Sequence, residues 1–369
     1  MPFVYVASSE KGIAVCQLNI ETGELSIVET VDTVPHCQFV ALHPSKPMLY
    51  AVGTEAQESQ LYAFDIADGK LTLCNTEAIG GLDPCYIAID GSEQYVLVAN
   101  YGGGDGRGSA VIVPLQPDGQ LKPRSDLIQY DGSSVNPNRQ RESHPHMIAA
   151  TPDNRYVLVS DLGTDKVRVS KLENGKLSAH SPDSIASATG SGPRHFAFHP
   201  TQPYLYIINE LNSTLSAFGY DAYSGIWHDI TTISTLADKS ELKEYPVDPA
   251  SDSIQPKLKT GLLMKAVNYP ADLHMHPSGQ FLYGTNRGAN NIVIYKIDNA
   301  SGKVELIGHQ STLGDWPRGM AIDPSGQIIV VGNQWSSSVL TLRIDTQRGL
   351  LTSTGHRVEI PSAVCVQIG

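Results

Sequence analysis

The chain has 369 residues, and its 33 glycines and 23 prolines, spread from end to end, fit many short elements joined by turns. Its 26 basic and 38 acidic residues leave a formal net charge of −12, which repels phosphate backbones and anionic lipid, so neither nucleic acid nor membrane is expected as a partner. No apolar run reaches about 18 residues, and the start, Met1-Pro2-Phe3-Val4-Tyr5, has neither a basic region nor a hydrophobic signal core, so a soluble cytoplasmic protein is expected.

Three strands open the chain: FVYVAS from Phe3, IAVCQLN from Ile13 and ELSIVET from Glu24. From Val34 a phrase begins to recur, made of a proline, a short alternating apolar run, a turn, and a second apolar run ending in Asn or a near equivalent. Its copies are VPHCQFVALHPSKPMLYAVG from Val34, DPCYIAIDGSEQYVLVAN from Asp83, HPHMIAATPDNRYVLVSD from His144, GPRHFAFHPTQPYLYIIN from Gly192, YPADLHMHPSGQFLYGTN from Tyr269 and WPRGMAIDPSGQIIVVGN from Trp316. Each is followed by two more alternating runs about a tight turn, as in LYAFDIADGKLTL from Leu61 and KVRVSKLENGKLSA from Lys166, where Asp-Gly and Asn-Gly mark hairpins. A seventh opening, Ile360-Pro361-Ser362-Ala363-Val364-Cys365-Val366, supplies a first strand only.

The leading prolines, Pro35, Pro84, Pro145, Pro193, Pro270, Pro317 and Pro361, recur at spacings of about 44 to 77 residues, near the length of one propeller blade. The expected fold is therefore all-β, a single domain over residues 1–369. It is a seven-bladed β-propeller of four-stranded antiparallel blades, the last closed by the C-terminal strand plus the three N-terminal ones. A β-sandwich would also show many short strands, but not seven like-spaced openings or a split last unit.

Strand direction sorts the loops. If each first strand descends from the top face, the connections from second to third strand and from blade to blade lie on top, and the turns at His43, His199, His276 and Asp323 lie at the bottom. Two insertions, about Pro123–Ser143 and Ala237–Asn268, join one blade to the next and belong to the top face, and the glycine-rich run Asn100–Gly108, which follows a second strand, lies there too. That run does not fit G-x-G-x-x-G and reads as a flexible loop. Long connections on one face wall a binding site.

Two columns of the repeat reach the top of the central channel. Just after the leading proline stand His36, Cys85, His146, Arg194, Ala271, Arg318 and Ser362; after the terminal Asn position stand Thr54, Tyr101, Leu162, Glu210, Arg287 and Gln334. His146, Arg194, Glu210 and Arg287 come from three successive blades. Guanidiniums bind carboxylate or phosphate in bidentate fashion while His or Glu moves a proton, so this set suits a small anionic substrate, with Tyr101, His36 and Arg318 as further binding candidates. Glu210, flanked by cations, is expected to stay ionised, and His146 to titrate near neutrality. The alternative reading of Arg194 and Glu210, on neighbouring strands of one blade, is a structural ion pair.

No cofactor or metal is expected. The spacings His144/His146, His195/His199 and His274/His276 yield no compact set of three ligands, and His43, His199 and His276 fit turn hydrogen bonds at the bottom. The five cysteines, Cys16, Cys37, Cys74, Cys85 and Cys365, contain no C-x-x-C pair and read as small buried thiols in strands. No G-x-S-x-G elbow for a serine nucleophile occurs.

The segments SHPHMIAATPDNRYVLVSDLGTDKV, GPRHFAFHPTQPYLYIINELNSTL, YPADLHMHPSGQFLYGTNRGANNIVIY and WPRGMAIDPSGQIIVVGNQWSSSV resemble the seven-bladed lactonase family that contains bacterial 6-phosphogluconolactonase and fungal carboxy-cis,cis-muconate lactonizing enzyme. The resemblance spans nearly the whole chain. It implies metal-independent chemistry on lactones, or on acids that close to lactones, and maps the family's His, Arg, Glu and Arg onto His146, Arg194, Glu210 and Arg287. The expected function is hydrolysis of a sugar-acid lactone, with a small anionic lactone or sugar acid as partner. A muconate-type cycloisomerase and a non-catalytic binding propeller are the alternatives. Oligomeric state is left open.

Overall fold

In the computed structural model, residues 1–55, 58–102, 108–221, 224–237, 242, 244–248, 253–254 and 263–369 are described. Seven four-stranded antiparallel sheets account for almost all of the secondary structure. Their innermost strands are Phe39–Leu42, Pro84–Ile89, Pro145–Ala150, Pro193–Phe198, Tyr269–Met275, Pro317–Ile322 and Ala363–Ile368, here the first strands of blades 1 to 7. Each packs on the innermost strand of the next blade, and the seventh packs on the first, so the ring is closed. In blade 7 the C-terminal strand pairs with Phe3–Ser8, and Gly12–Leu18 and Leu25–Val31 complete the sheet. The split blade expected from the sequence is the one observed.

Apolar residues of the phrase alternate between the two faces of each sheet, and each face meets the neighbouring blade. The core is accordingly divided into wedges. Met147, Leu158 and Val167 of blade 3 meet Phe196, Leu205 and Ile207 of blade 4, and Phe281, Tyr283 and Ile292 of blade 5 meet Met320, Ile329 and Val331 of blade 6. All five cysteines are free, three of them buried.

Bottom-face histidines staple neighbouring blades. His199 Nδ1 accepts the amides of Thr201 and Gln202 in its own turn, and on the other side Nε2 lies 3.0 Å from Gly279 O of the next blade. His276 repeats the arrangement, with Nδ1 on Ser278 N and Nε2 3.0 Å from Gly326 O. His43 Nδ1 likewise accepts Ser45 N and Lys46 N. These three histidines are turn residues.

The Asn that ends the phrase has a corresponding task on the top face. Asn100, Asn286 and Asn333 donate to Gly80 O, Thr235 O and Thr312 O, each in the segment arriving from the previous blade. In blade 3 Asp161 fills the same place, accepting Ser143 Oγ and His144 N. Of the two top-face insertions, the second carries a small sheet of Glu244–Asp248, Ser253–Ile254 and Leu263–Ala266. Residues 103–107 of the glycine-rich run, and residues 238–241, 243, 249–252 and 255–262 of that second insertion, lie outside the described residues. Among the described residues no helix is long and apolar enough to cross a membrane.

Candidate active site

A β-bulge follows the leading proline in blades 2 to 6. Pro145 pairs with Asp161 and Met147 with Ser160, which leaves His146 as the extra residue. Cys85, Arg194 and Arg318 are the extra residues of blades 2, 4 and 6 in the same way. An extra residue bends its strand and re-aims its side chain. In blades 2, 3, 4 and 6 the first column of the repeat is therefore a column of bulges, turned toward the channel. In blade 5 the shift falls between Pro270 and Leu273, so Ala271 and Asp272 together oppose Thr285, and it is Asp272 that reaches the channel cavity.

The mouth is a cavity of about 510 Å³ whose wall includes His36, Tyr101, His146, Glu210, Arg287 and Arg318. Six of the seven candidates from the sequence thus share one wall. Arg194, 2% exposed, lies deeper, beside a second small cavity of about 10 Å³ that shares Gln38, Cys85, His146 and Arg318 with the first. That lower space has room for roughly one water molecule.

Glu210 is the centre of charge. Its Oε1 accepts from Arg139 Nη2 at 2.6 Å, and its Oε2 lies 2.9 Å from Arg194 Nε and 2.8 Å from Arg287 Nη2. Burial works to raise the Glu210 pKa, but Arg287, Arg139 and Arg194 outweigh it and hold the carboxyl well below its ordinary range. The expected ionised state is the one found. The Arg194 and Arg287 contacts are ion pairs with misdirected N–H bonds: Arg194 Nε and Arg287 Nη2 are buried without a hydrogen-bond partner, and so is His146 Nδ1. Buried polar atoms rarely go unpaired, and two in the wall of one mouth, with a third just beneath it, mark a place for a ligand.

Cations are in excess here. Burial and Arg287 push the Arg194 pKa down to about 9 and that of Arg318 down to about 10. Arg318 has no ion-pair partner among the described residues. His146 departs from expectation. Burial, then Arg194 and His195, hold its pKa well below 6.5 against the opposing pull of Glu210, so the ring is neutral at pH 7 instead of titrating there.

Arg139 was not legible as a site residue. It sits in the first insertion, outside the repeat, and arrives through Gln140, whose Nε2 donates to Leu162 O at 2.9 Å and Asp165 Oδ1 at 2.7 Å. Beyond Glu210 it reaches the Tyr101 hydroxyl at 3.5 Å. Tyr101 in turn stacks on His144 and meets His146 edge-on, ring centroids 4.2 Å and 5.5 Å apart. Among the described residues no group of three or more His, Cys, Asp or Glu side chains is arranged to hold a metal ion.

Comparison with known proteins agrees with this architecture. Residues 3–368 match the family described as "Lactonase, 7-bladed beta-propeller". A 6-phosphogluconolactonase of Bacillus subtilis is 29% identical over 318 residues, covering 85% of this chain and 82% of that protein. Another, from Formosa agariphila, is 32% identical over 317 residues, covering 83% and 81%. Among solved structures, a Lactobacillus plantarum protein superposes with a TM-score of 0.85 at 28% identity, over all of both chains. A periplasmic gluconolactonase of Pseudomonas aeruginosa superposes with a TM-score of 0.86 at 24% identity, covering 100% of this chain and 98% of that one, a likeness in fold alone.

Proposed function

Because the chain belongs to the seven-bladed β-propeller lactonase family, we propose that it is a lactonase that hydrolyses an anionic sugar-acid lactone, 6-phosphogluconolactone or a related aldonolactone or aldarolactone, with proton transfer carried by side chains. The observation that supports this most is that His146 Nδ1 and Arg287 Nη2, each buried without a hydrogen-bond partner, share the wall of the mouth with Arg318, which has no ion-pair partner among the described residues.

Ring opening needs a water oxygen to attack the lactone carbonyl, a group to take its proton, and donors for the negative oxygen that develops. His146, neutral with a free Nδ1, takes the proton as the new C–O bond forms. Arg287 donates to the carbonyl oxygen, and Arg194 supports it from below. The tetrahedral intermediate then expels the ring oxygen, which receives the proton back from His146, and the product is the open hydroxy acid. Glu210 keeps the guanidiniums in place and accepts a hydrogen bond from the attacking water; already engaged by three arginines, it leaves proton abstraction to the imidazole. Arg318, His36 and Tyr101 hold the anionic and hydroxyl groups of the sugar acid. The same reading puts the reaction in the cytoplasm, where five free cysteines stay reduced.

The test is a panel of aldonolactones, phosphorylated aldonolactones and muconates, followed by pH indicator. Hydrolysis of an anionic aldonolactone is expected, with losses of about a hundred- to a thousandfold in kcat for His146→Ala, Arg194→Ala, Glu210→Gln and Arg287→Ala. Turnover confined to muconates would make the protein a cycloisomerase, and unchanged hydrolysis in Arg194→Ala and Glu210→Gln would remove the assignment of those residues.

A further inference from the structure

Beneath the mouth, on the inner face of the ring, lies a chain of polar groups that the reaction above does not use. Asp272, 8% exposed, collects four donors from three blades. Oδ1 faces His195 Nδ1 at 2.8 Å and accepts Leu273 N at 3.0 Å; Oδ2 accepts Met320 N at 2.8 Å and faces His274 Nε2 at 3.1 Å. On the far side of the same imidazole, His195 Nε2 stands 3.2 Å from Arg194 Nη1, which also donates to Ala271 O.

Donor and acceptor chemistry leaves one consistent arrangement. An ionised carboxylate only accepts and a guanidinium only donates. His195 must then carry its proton on Nδ1, toward Asp272, and present a bare Nε2 to Arg194. The other tautomer would set N–H against N–H on the Arg194 side and a lone pair against the carboxylate on the other. A second charge on the ring would face Arg194 directly. The groups around His195 are Arg194, Asp272, His274 beyond it, Tyr86 edge-on at 5.1 Å and His146 at 5.4 Å. One ring thus touches both Arg194 and the imidazole at the cavity wall.

We propose that Asp272 and His195 are positioning residues of the hydrolytic site: Asp272 selects the Nδ1–H tautomer of His195, and His195 thereby orients the guanidinium of Arg194 against Glu210. Arg194 is 2% exposed and has five N–H donors to place. The contact from below fixes Nη1, which leaves Nε toward the carboxylate and the mouth. Since neither Asp272 nor His195 lines the larger cavity, their loss changes turnover and leaves substrate binding nearly intact.

The kinetic part of the test rests on the lactonase reading, and the spectroscopic part does not. Nitrogen NMR of histidine-labelled protein is expected to show His195 protonated on Nδ1 in the wild type and redistributed in Asp272→Asn. In hydrolysis assays Asp272→Asn should lose on the order of ten- to a hundredfold in kcat, since a misplacement of about 1 Å at the reacting groups costs about a hundredfold, with KM changed less than about threefold. His195→Gln, which keeps an acceptor for Arg194, should retain much more kcat than His195→Phe. A purely structural bridge between blades would make His195→Gln and His195→Phe equally impaired, and that result overturns the proposal, as does an Nε2-protonated His195 in the wild type. Should Asp272→Asn not fold, the His195 pair and the wild-type spectrum decide. Absence of turnover on every lactone by the wild type would sink the lactonase reading, and the tautomer would still be read.

Discussion

Burial strips an ionised carboxylate of its hydration, and Glu210 makes good the loss with three guanidiniums drawn from separate parts of the chain, Arg139, Arg194 and Arg287. The same crowding sets the protonation of the neighbouring imidazole, which fixes the pH behaviour. With its pKa well below 6.5, His146 is already unprotonated at neutral pH. We expect kcat/KM to be level through neutrality and to fall only as pH drops well under 6.5, in a profile taken from about pH 4 to 8; a limb centred near 6.5 would take the proton-accepting role from His146. Stability follows the same groups. His195 is held down to about 4, by burial and then Arg194. Between about 6.5, the ordinary histidine value, and about 4 the unfolded chain binds protons at His146 and His195 that the native chain refuses, so stability declines as pH falls across that window. His274 acts in the opposite sense: Asp272 raises its pKa against burial, so its contribution is complete below 6.5 and fades as pH rises. Thermal melts of wild type and His146→Gln should show a shallower decline across the acid window in the variant.

The bulge after the leading proline in blades 2 to 6 turns His146, Arg194 and Arg318 inward, and it explains what could and could not be read from the amino-acid order. Recurrence of one phrase is enough to align His146, Arg194 and Arg318, because the copies in blades 3, 4 and 6 spend one extra residue at the same place. Blade 5 spends it on Ala271 and Asp272 together, so a column aligned on the proline lands on alanine and passes over the carboxylate one place further on. Arg139 belongs to no copy; the backbone that delivers it is tied to Asp165, which accepts Gln140 Nε2, Gly190 N and Gly192 N, and no periodicity announces such a knot. The bottom staples make their own demand at this scale. Gly326 has φ +72°, and a Cβ there would stand 2.5 Å from His276 Nε2. Gly326→Ala should therefore cost about 1–3 kcal/mol through backbone strain alone, and more with the clash, whereas His276→Ala loses hydrogen bonds worth about 1 kcal/mol each. Urea midpoints of the two variants, with the glycine variant the less stable, check the order.

Across the whole molecule the ring is held by contacts between adjacent blades and by one seam. At that seam Val4 opposes Ile368 and Val6 opposes Val366, Thr341 Oγ1 donates to Gly23 O at 2.6 Å, and Arg343 Nη2 donates to Glu21 O at 2.6 Å. Deleting residues 363–368 would strip blade 7 of its innermost strand and expose the apolar wedge around Val4, Val6 and Val330; we expect loss of the cooperative unfolding transition, not a modest shift in its midpoint, when followed by circular dichroism. The seam also imposes an order on biosynthesis. Phe3–Ser8, Gly12–Leu18 and Leu25–Val31 share a sheet with a strand translated some 330 residues later, so they emerge with that sheet unfinished. Each of the intervening blades has all four of its strands in one stretch of chain and is free to form as it appears. During synthesis those three strands therefore stay unmatched beside a growing arc of finished blades, and the floor of the pocket, where Val364 and Cys365 stand beside Arg194 and Asp272, is laid only when the last strand arrives.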